Sequence, residues 1–222
     1  MKILTAILTC SATQKRADAC LDTWIQDIKT PHDYFFYGDK SQAHTMTKAW
    51  DCTPDAGEHR ARLPEKTYKM LVKSLDYEWD FLFKCDDDTY VSFGKLAKKL
   101  ETFNPDEALY VGTVLWNPIG YAQGGAGYAL TRKAVVKCLN SFKNFYKDGS
   151  KTRDAEDYCV GLSLLKEGVE LTHDEDFHTY HPSHAAAYQS ACIQEIVNAG
   201  KITTHYIQPS TMREIYKQQN KI

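Results

Sequence analysis

Short apolar runs and longer stretches of helical periodicity alternate along the chain. The runs at residues 3–9, 34–38 and 81–84, which read ILTAILT, YFFYG and FLFK, are typical of buried strands. Residues 14–28 and 65–76 instead place apolar side chains three and four positions apart, as an amphipathic helix does. Strands that alternate with helices in this way predict an α/β sandwich.

The rest of the chain continues the same alternation. We predict strands at 46–50, 108–116 and 202–207, helices at 93–103, 131–142, 155–167, 186–198 and from 210 onward, and an irregular glycine-rich segment between Pro118 and Gly127. No internal repeat and no shift in composition marks a linker, so we expect one domain over residues 1–222.

Composition narrows the classes of function. The 222 residues are 43% hydrophobic and 25% charged, with a formal net charge of -2, which is typical of a globular protein. A nucleic-acid-binding domain is usually clearly basic, so we expect no nucleic-acid partner. The seven cysteines form no Cys-x-x-Cys pair, and we expect reduced thiols rather than a disulfide framework.

The N-terminal sequence MKILTAILTCSAT favours a first core strand over a signal peptide. Its apolar part is short, is broken by Thr5 and Thr9, and is followed at once by a polar, helix-like stretch. No later stretch approaches the roughly 20 apolar residues that a membrane-spanning helix needs. We therefore expect no membrane span and a cytoplasmic location.

The string FLFKCDDDTYV raises the first chemical question, because Asp86, Asp87 and Asp88 directly follow an apolar run. Two carboxylates about 4 Å apart repel by about 4 kcal/mol at a protein surface, so either water screens the triplet in a turn or a cation binds it. Ligands of open α/β sheets bind beyond the carboxyl ends of the strands. Asp86 and Asp88 would suit a metal–diphosphate there, but the triplet alone leaves both alternatives open.

Several strings together indicate a family. DFLFKCDDDTYV resembles the strand and metal turn of the Fringe and core-1 β3-galactosyltransferase family. Other segments resemble that family in the same order, namely ILTCSATQKRADACLDTWIQD, LPEKTYKML at 63–71, GGAGYALTRKAV at 124–135, DAEDYCVGLSLLKEGVE at 154–170, FHTYHP at 177–182 and THYIQPSTM at 204–212. Each string is weak alone, whereas the ordered set spans nearly the entire chain.

The resemblance implies both a fold and a reaction. The fold would be the GT-A nucleotide-diphospho-sugar transferase α/β/α sandwich, with a mixed, mostly parallel central sheet. The reaction would be metal-dependent, inverting transfer of a hexose from a UDP-sugar to a hydroxyl of a saccharide or glycoprotein acceptor. We expect a monomer or weak dimer, with Mn²⁺ as the cofactor and Mg²⁺ as the alternative.

The predicted metal ligands are Asp86, Asp88 and His205. The resemblance matches His205, within ITTHYI, to the C-terminal histidine that completes the family's metal site. A neutral imidazole beside two carboxylates favours Mn²⁺ over Mg²⁺, whereas the alternative is a strand-end histidine bonded to a backbone carbonyl. The neighbouring histidines follow no zinc spacing, and these are His173, His178, His181 and His184.

The resemblance places the catalytic base at Asp157 and gives Glu156 a role in orienting the base or holding the acceptor. An inverting transferase needs one carboxylate to take the proton of the attacking hydroxyl. The alternative is structural, because acidic residues at a helix N-terminus are favoured by about 0.3–1 kcal/mol.

The remaining candidates would contact the donor or the sugar. Thr9, Arg16 and Lys66 are candidates for the uridine or diphosphate, Asp87 for the ribose or sugar, Trp116 and Tyr121 for a sugar face, and Gly124, Gly125 and Gly127 for close backbone approach to the donor. Solvated polar residues, core packing and a plain tight turn are the respective alternatives.

Two other functions use the same residues. A metal-dependent sugar-nucleotide hydrolase or nucleotidyltransferase would employ Asp86 and Asp88 but would react with water or a sugar phosphate. A non-catalytic nucleotide-sugar-binding module would retain the fold without turnover. Assays of turnover separate these alternatives from the transferase.

Overall fold

The structure is a computed structural model, and it describes residues 1–40, 46, 48–53, 62–117, 119–146, 155–179 and 200–220. The side chains of Trp116, Asn117 and Tyr146 are not described. The predicted helix at 186–198 lies outside the described residues.

Strands and helices both recur along the described chain, but four strands follow one another between residues 110 and 131 without a helix between them. The strands are β1 Ile3–Leu8, β2 Asp33–Gly38, β3 Ala49–Asp51, β4 Phe81–Asp86, β5 Tyr90–Val91, β6 Tyr110–Gly112, β7 Val114–Asn117, β8 Ile119–Ala122, β9 Tyr128–Thr131, β10 Leu171–His173, β11 Phe177–His178 and β12 Thr203–Thr204. The helices are α1 Gln14–Asp22, α2 Leu63–Ser74, α3 Phe93–Leu100, α4 Arg132–Tyr146, α5 Glu156–Lys166 and α6 Pro209–Gln219.

A seven-stranded sheet with the order β10-β6-β9-β4-β1-β2-β3 forms the centre of the described chain. β1 pairs in parallel with β2 and β4, whereas β9 runs antiparallel between β4 and β6. A small sheet, β11-β12-β5, and the hairpin β7-β8 lie beside it. The predicted mixed, mostly parallel sheet is confirmed.

Helices cover both faces of the sheet. Successive side chains of a strand point to opposite faces, so one strand contributes to two cores. Ile3 and Ile7 of β1 lie in a core with α1, α3 and α6, whereas Leu4 and Ala6 lie in a second core with α2, α4 and α5. The architecture is therefore a three-layer α/β/α sandwich. Among the described residues, no helix combines the length and the apolar character that crossing a bilayer requires.

The sequence pattern did not reveal β9, which is the antiparallel strand between β4 and β6. Its four residues are all buried, so no alternation marks them, and they run directly into α4. Lys84 of β4 pairs with Tyr128 of β9. This register places the glycines that precede β9 beside the carboxyl end of β4.

Other predicted boundaries were wrong. The predicted strand at 108–116 is two strands, β6 and β7, and part of the predicted irregular segment is the strand β8, which pairs with β7. The helix predicted to reach residue 28 ends at Asp22 and is followed by a short 3-10 turn, Trp24–Asp27. The C-terminal strand covers Thr203–Thr204 alone.

Gly127 gives a test of this packing, because its φ of +96° is unfavourable for other residues and a Cβ there would lie 2.7 Å from the Phe83 ring. We expect Gly127→Ala to lower the free energy of unfolding by about 1–3 kcal/mol more than Gly168→Ala does, since added atoms in a packed core cost that much. Gly168 shares the positive φ (+72°) but has open space around it. Equal losses for the two variants in urea denaturation would contradict the packing.

Candidate active site

The acidic turn at the end of β4 is held by its neighbours in the sheet. The backbone N–H of Asp87 donates to the Leu8 carbonyl at 3.1 Å, which ties the turn to the end of β1. The Thr89 hydroxyl donates to the Gly125 carbonyl at 2.6 Å, which ties it to the glycine segment before β9. The triplet therefore lies at the carboxyl edge of the sheet, where ligands of open α/β sheets bind.

Asp86, Asp88 and His205 come together at this edge although more than a hundred residues separate the triplet from the histidine. One potential ligand atom from each lies within 4.8 Å of the others. The His205 Nε2 is 3.1 Å from Asp88 Oδ1, and the Ile207 N–H donates to the Asp88 carbonyl at 2.8 Å. The antiparallel pairing of β12 with β5 brings the two segments together.

The surroundings of the His205 ring fit a ligand role. The ring is buried, and its Nδ1 has no hydrogen-bond partner among the described residues. A Cβ on Gly125 would overlap the ring, so the glycine is needed at that position. Tyr206 stacks on the ring with centroids 3.8 Å apart and has a φ of +62°, which is uncommon for a residue other than glycine. Two carboxylates and one imidazole fit Mn²⁺, and Mg²⁺ less well.

Arg16 contacts Asp88 of the triplet, and two threonines contact Asp87. Arg16 of α1 forms an ion pair with Asp88, with Nη1 and Oδ2 3.0 Å apart. Asp87 is buried, and its Oδ2 accepts hydrogen bonds from the hydroxyls of Thr9 at 2.7 Å and Thr13 at 2.5 Å. Burial raises the pKa of Asp87 to about 7, although both hydroxyls favour the charged form.

A cavity of about 580 Å³ opens beside the triplet. It is lined by Leu8, Thr9, Cys10, Ser11, Thr13, Arg16, Asp39, Leu63, Lys66, Asp86, Asp87 and Asp88. The predicted donor residues Thr9, Arg16 and Lys66 thus share one cavity with the triplet. Thr13 and Asp39 also line the cavity but were not predicted from the sequence. Each follows the carboxyl end of a predicted strand, and ligands bind at such ends, so their position could have indicated them.

Glu156 and Asp157 begin α5, yet their environments differ. Asp157 is partly exposed and accepts hydrogen bonds from the backbone N–H groups of Gly124 at 2.9 Å and Tyr158 at 2.8 Å. Glu156 is buried, with Oε1 bonded to the Lys84 ammonium at 2.5 Å and Oε2 to the Tyr128 hydroxyl at 3.1 Å. Burial raises the pKa of Asp157, and it raises that of Glu156 to about 7.

Three other positions that the sequence singled out are not among the residues that line the cavity beside the triplet. Tyr121 is 9% exposed and packs edge-on against Tyr158, so its ring faces α5. His173 Nδ1 accepts a hydrogen bond from the Val114 N–H, and His178 is partly buried in β11. His181, His184 and the Trp116 side chain lie outside the described residues.

Comparison with solved structures identifies the fold. Three-dimensional similarity covers 98% of this chain and all of a glycosyltransferase involved in the glycosylation of the major capsid of PBCV-1, with a TM-score of 0.61 and 9% identity. The apo form of the glycosyltransferase GlyE of Streptococcus pneumoniae matches 97% of this chain and 59% of its own, with a TM-score of 0.60 and 11% identity. The fold is that of the GT-A glycosyltransferases, as predicted.

The chain belongs to the Fringe-like family of glycosyltransferases, whose family profile matches residues 1–220. It is 30% identical over 183 residues to glycoprotein-N-acetylgalactosamine 3-beta-galactosyltransferase 1 of Xenopus laevis, covering 70% of this chain and 50% of that protein. It is 26% identical over 189 residues to the Fringe glycosyltransferase of Drosophila melanogaster, covering 72% and 44%. The chain thus spans about half the length of these relatives.

His205 provides a test of the metal site. We expect His205→Ala to weaken Mn²⁺ binding by about tenfold or more in calorimetry, since even residues that only support metal ligands contribute about 10–100-fold. His173→Ala is the matched control, because that ring is exposed and bonds to a backbone N–H away from the triplet. Unchanged Mn²⁺ affinity in folded His205→Ala would contradict the assignment.

Proposed function

We propose that this protein catalyses metal-dependent, inverting transfer of a hexose from a UDP-sugar to a hydroxyl group of a glycan or glycoprotein. The observation that carries the proposal is the convergence of Asp86, Asp88 and His205 beside a cavity of about 580 Å³. Membership of a glycosyltransferase family supports the reaction class.

The charges that line the cavity support a requirement for a cation. Four aspartates line it, whereas its lining cations are Arg16 and Lys66 among the described residues. A diphosphate would meet net repulsion from this set. A divalent cation held by Asp86, Asp88 and His205 would offset that repulsion and stabilise the charge that develops as UDP leaves. We propose Mn²⁺, with Mg²⁺ as the alternative.

The remaining cavity residues would hold the donor. Arg16 and Lys66 would contact the diphosphate, and Thr9 the nucleoside or the first phosphate. The Oδ2 of Asp87 accepts hydrogen bonds from Thr9 and Thr13, so its Oδ1 would be the atom that contacts the ribose or sugar. The sugar would approach the backbone closely at Gly124 and Gly125. Gly124 lies beside Asp157, and Gly125 lies beside His205.

Asp157 is a better candidate for the base than Glu156. Both oxygens of Glu156 are engaged by buried groups, whereas Asp157 is partly exposed and accepts one N–H bond at each oxygen. A carboxylate has about four lone-pair sites, so Asp157 retains the capacity to take a proton. It would deprotonate the acceptor hydroxyl as that oxygen attacks the anomeric carbon, and one displacement inverts the centre.

The wider setting of the protein rests on prediction. We propose that residues 1–222 act as one catalytic domain and use a saccharide or glycoprotein acceptor. The cytoplasmic location and the monomeric or weakly dimeric state stay predictions of the sequence.

Asp157→Asn separates catalysis from binding. We expect transfer to fall by about 10²–10⁴-fold because amide nitrogen and oxygen cannot replace the base, while UDP affinity in the presence of Mn²⁺ stays within about threefold. The assay incubates the protein with Mn²⁺, a panel of UDP-sugars and simple saccharide acceptors, and measures UDP together with glycosylated product. Asp106→Asn, in an exposed turn, is the control.

Three outcomes would contradict the proposal. Transfer by Asp157→Asn at the wild-type rate would remove the base assignment. UDP or UMP release without product from the wild-type protein would indicate a hydrolase. Tight donor binding without any turnover would indicate a binding module.

The pH dependence of transfer provides a second test of the base. Because burial raises the pKa of Asp157, the carboxylate accepts its proton at higher pH than an exposed aspartate, whose pKa is about 3.9. Below that raised pKa we expect kcat at saturating Mn²⁺ to fall about tenfold per pH unit. The residual activity of Asp157→Asn should lack this acid limb, and an identical limb in the variant would contradict the assignment.

A further inference from the structure

Lys84 is a fully buried lysine at the centre of the site, and the functions assigned above do not use it. It belongs to β4, two residues before the acidic turn, and is 1% exposed. Its ammonium donates to Asp86 Oδ1 at 2.8 Å, Glu156 Oε1 at 2.5 Å and the Gly124 carbonyl at 3.1 Å. A lysine ammonium has three hydrogens, so all of its donors are engaged.

These three bonds connect the two halves of the site. Asp86 is one of the proposed metal carboxylates. Gly124, whose carbonyl accepts from Lys84, also donates its N–H to Asp157 Oδ2 at 2.9 Å. A Cβ on Gly124 would lie 3.0 Å from the Asp157 Cβ and 3.1 Å from the Lys84 Nζ, so the glycine is closely enclosed. A chain of direct contacts thus runs from Asp86 through Lys84 and Gly124 to Asp157.

A contribution to folding stability does not by itself explain why the Lys84 ammonium is buried here. Removing an ammonium from water is costly, and buried ion pairs replaced by apolar residues of similar volume are often neutral or stabilising. The buried ring of Tyr128 lies nearby, with its centroid 5.8 Å from the Lys84 Nζ. An apolar side chain at position 84 would therefore have a packing partner. The geometry of the contacts indicates a role in holding the carboxylates.

We propose that Lys84 is a positioning residue that fixes the separation between the metal carboxylate Asp86 and the proton-accepting carboxylate Asp157. Its contact with Asp86 orients that carboxylate, and its contact with Gly124 holds the N–H that orients Asp157. In the reaction this would set the distance between the departing diphosphate and the attacking hydroxyl. The proposal rests on the function proposed above.

Lys84→Met tests the proposal because it keeps most of the length of the side chain and removes all three donors. We expect Mn²⁺ affinity in calorimetry to weaken by about 10–100-fold, as is typical when a group that orients a metal ligand is lost. At saturating Mn²⁺ we also expect kcat to stay about 10–100-fold below wild type, with KM for the acceptor changed less than about threefold, because Asp157 remains misaligned. Lys48→Met is the matched control, since its exposed ammonium pairs with Asp33.

A second pair of variants covers the case in which Lys84→Met does not fold. Lys84→Met/Glu156→Gln removes the cation together with one of its buried anions, which avoids an uncompensated charge. It is compared with Glu156→Gln alone, so that the difference between the two reports the loss of Lys84. Circular dichroism and thermal melting give the folded fraction, and kcat and Mn²⁺ affinity are expressed per folded protein.

The outcomes are distinct. Recovery of full kcat at saturating Mn²⁺ would show that Lys84 supports Asp86 alone, which overturns the link to Asp157. Wild-type kcat and Mn²⁺ affinity per folded protein would leave a purely structural role, which also overturns the proposal. A wild-type protein that neither binds Mn²⁺ nor transfers sugar would instead overturn the proposed function itself.

Discussion

The site depends on the balance between one buried ammonium and the carboxylates that surround it. Lys84 lies between Asp86, at the end of β4, and Glu156, at the start of α5, and bonds to both. Without that cation, folding α5 against the end of β4 would bring the two acidic residues together in a medium of low dielectric, where like charges repel strongly. The packing of α5 against the end of β4 therefore depends on Lys84, which offsets the charges of Asp86 and Glu156.

Asp87 and Asp88, the other two carboxylates of the triplet, have different partners. Arg16 and His205 approach Asp88, and two threonine hydroxyls hold Asp87. Thr9, Thr13 and Arg16 line a cavity, where a ligand can exchange with these contacts, whereas the Lys84 ammonium is closed to solvent. The difference separates a permanent framework beneath the site from the surface at which substrates would bind.

Glycines allow the framework and the surface to approach each other. The antiparallel strand β9 begins beside the end of β4, so residues 124–127 pass between the acidic turn, His205 and the start of α5. Side chains at Gly124 or Gly125 would overlap Glu156 or His205. The motif GGAG is thus explained first by close packing of the chain against its own functional side chains, and the proposed approach of a sugar would use the same space.

Much of this arrangement could be predicted from local patterns. The apolar runs gave β1, β2 and β4, helical spacing gave α2 and α5, and the acidic triplet after FLFK marked the carboxyl edge of the sheet. The fold family followed from an ordered set of strings. The four buried residues of β9 carry no alternation, however, and the two-residue strand β12 is too short for a pattern, so the elements that deliver the glycines and His205 were missed or misjudged.

The sequence by itself determined which residue types were present and which of them lie at strand ends, because periodicity and chain order are local properties. Only the tertiary structure decided that Glu156 is sequestered while Asp157 is accessible, since these neighbours differ in what packs against them rather than in their own sequence. It alone revealed Lys84 as the centre of the site. Within the string FLFK, a lysine looks like a solvated residue of a strand, and its contacts with Gly124 and Glu156 arise from β9 and α5, which are distant along the chain.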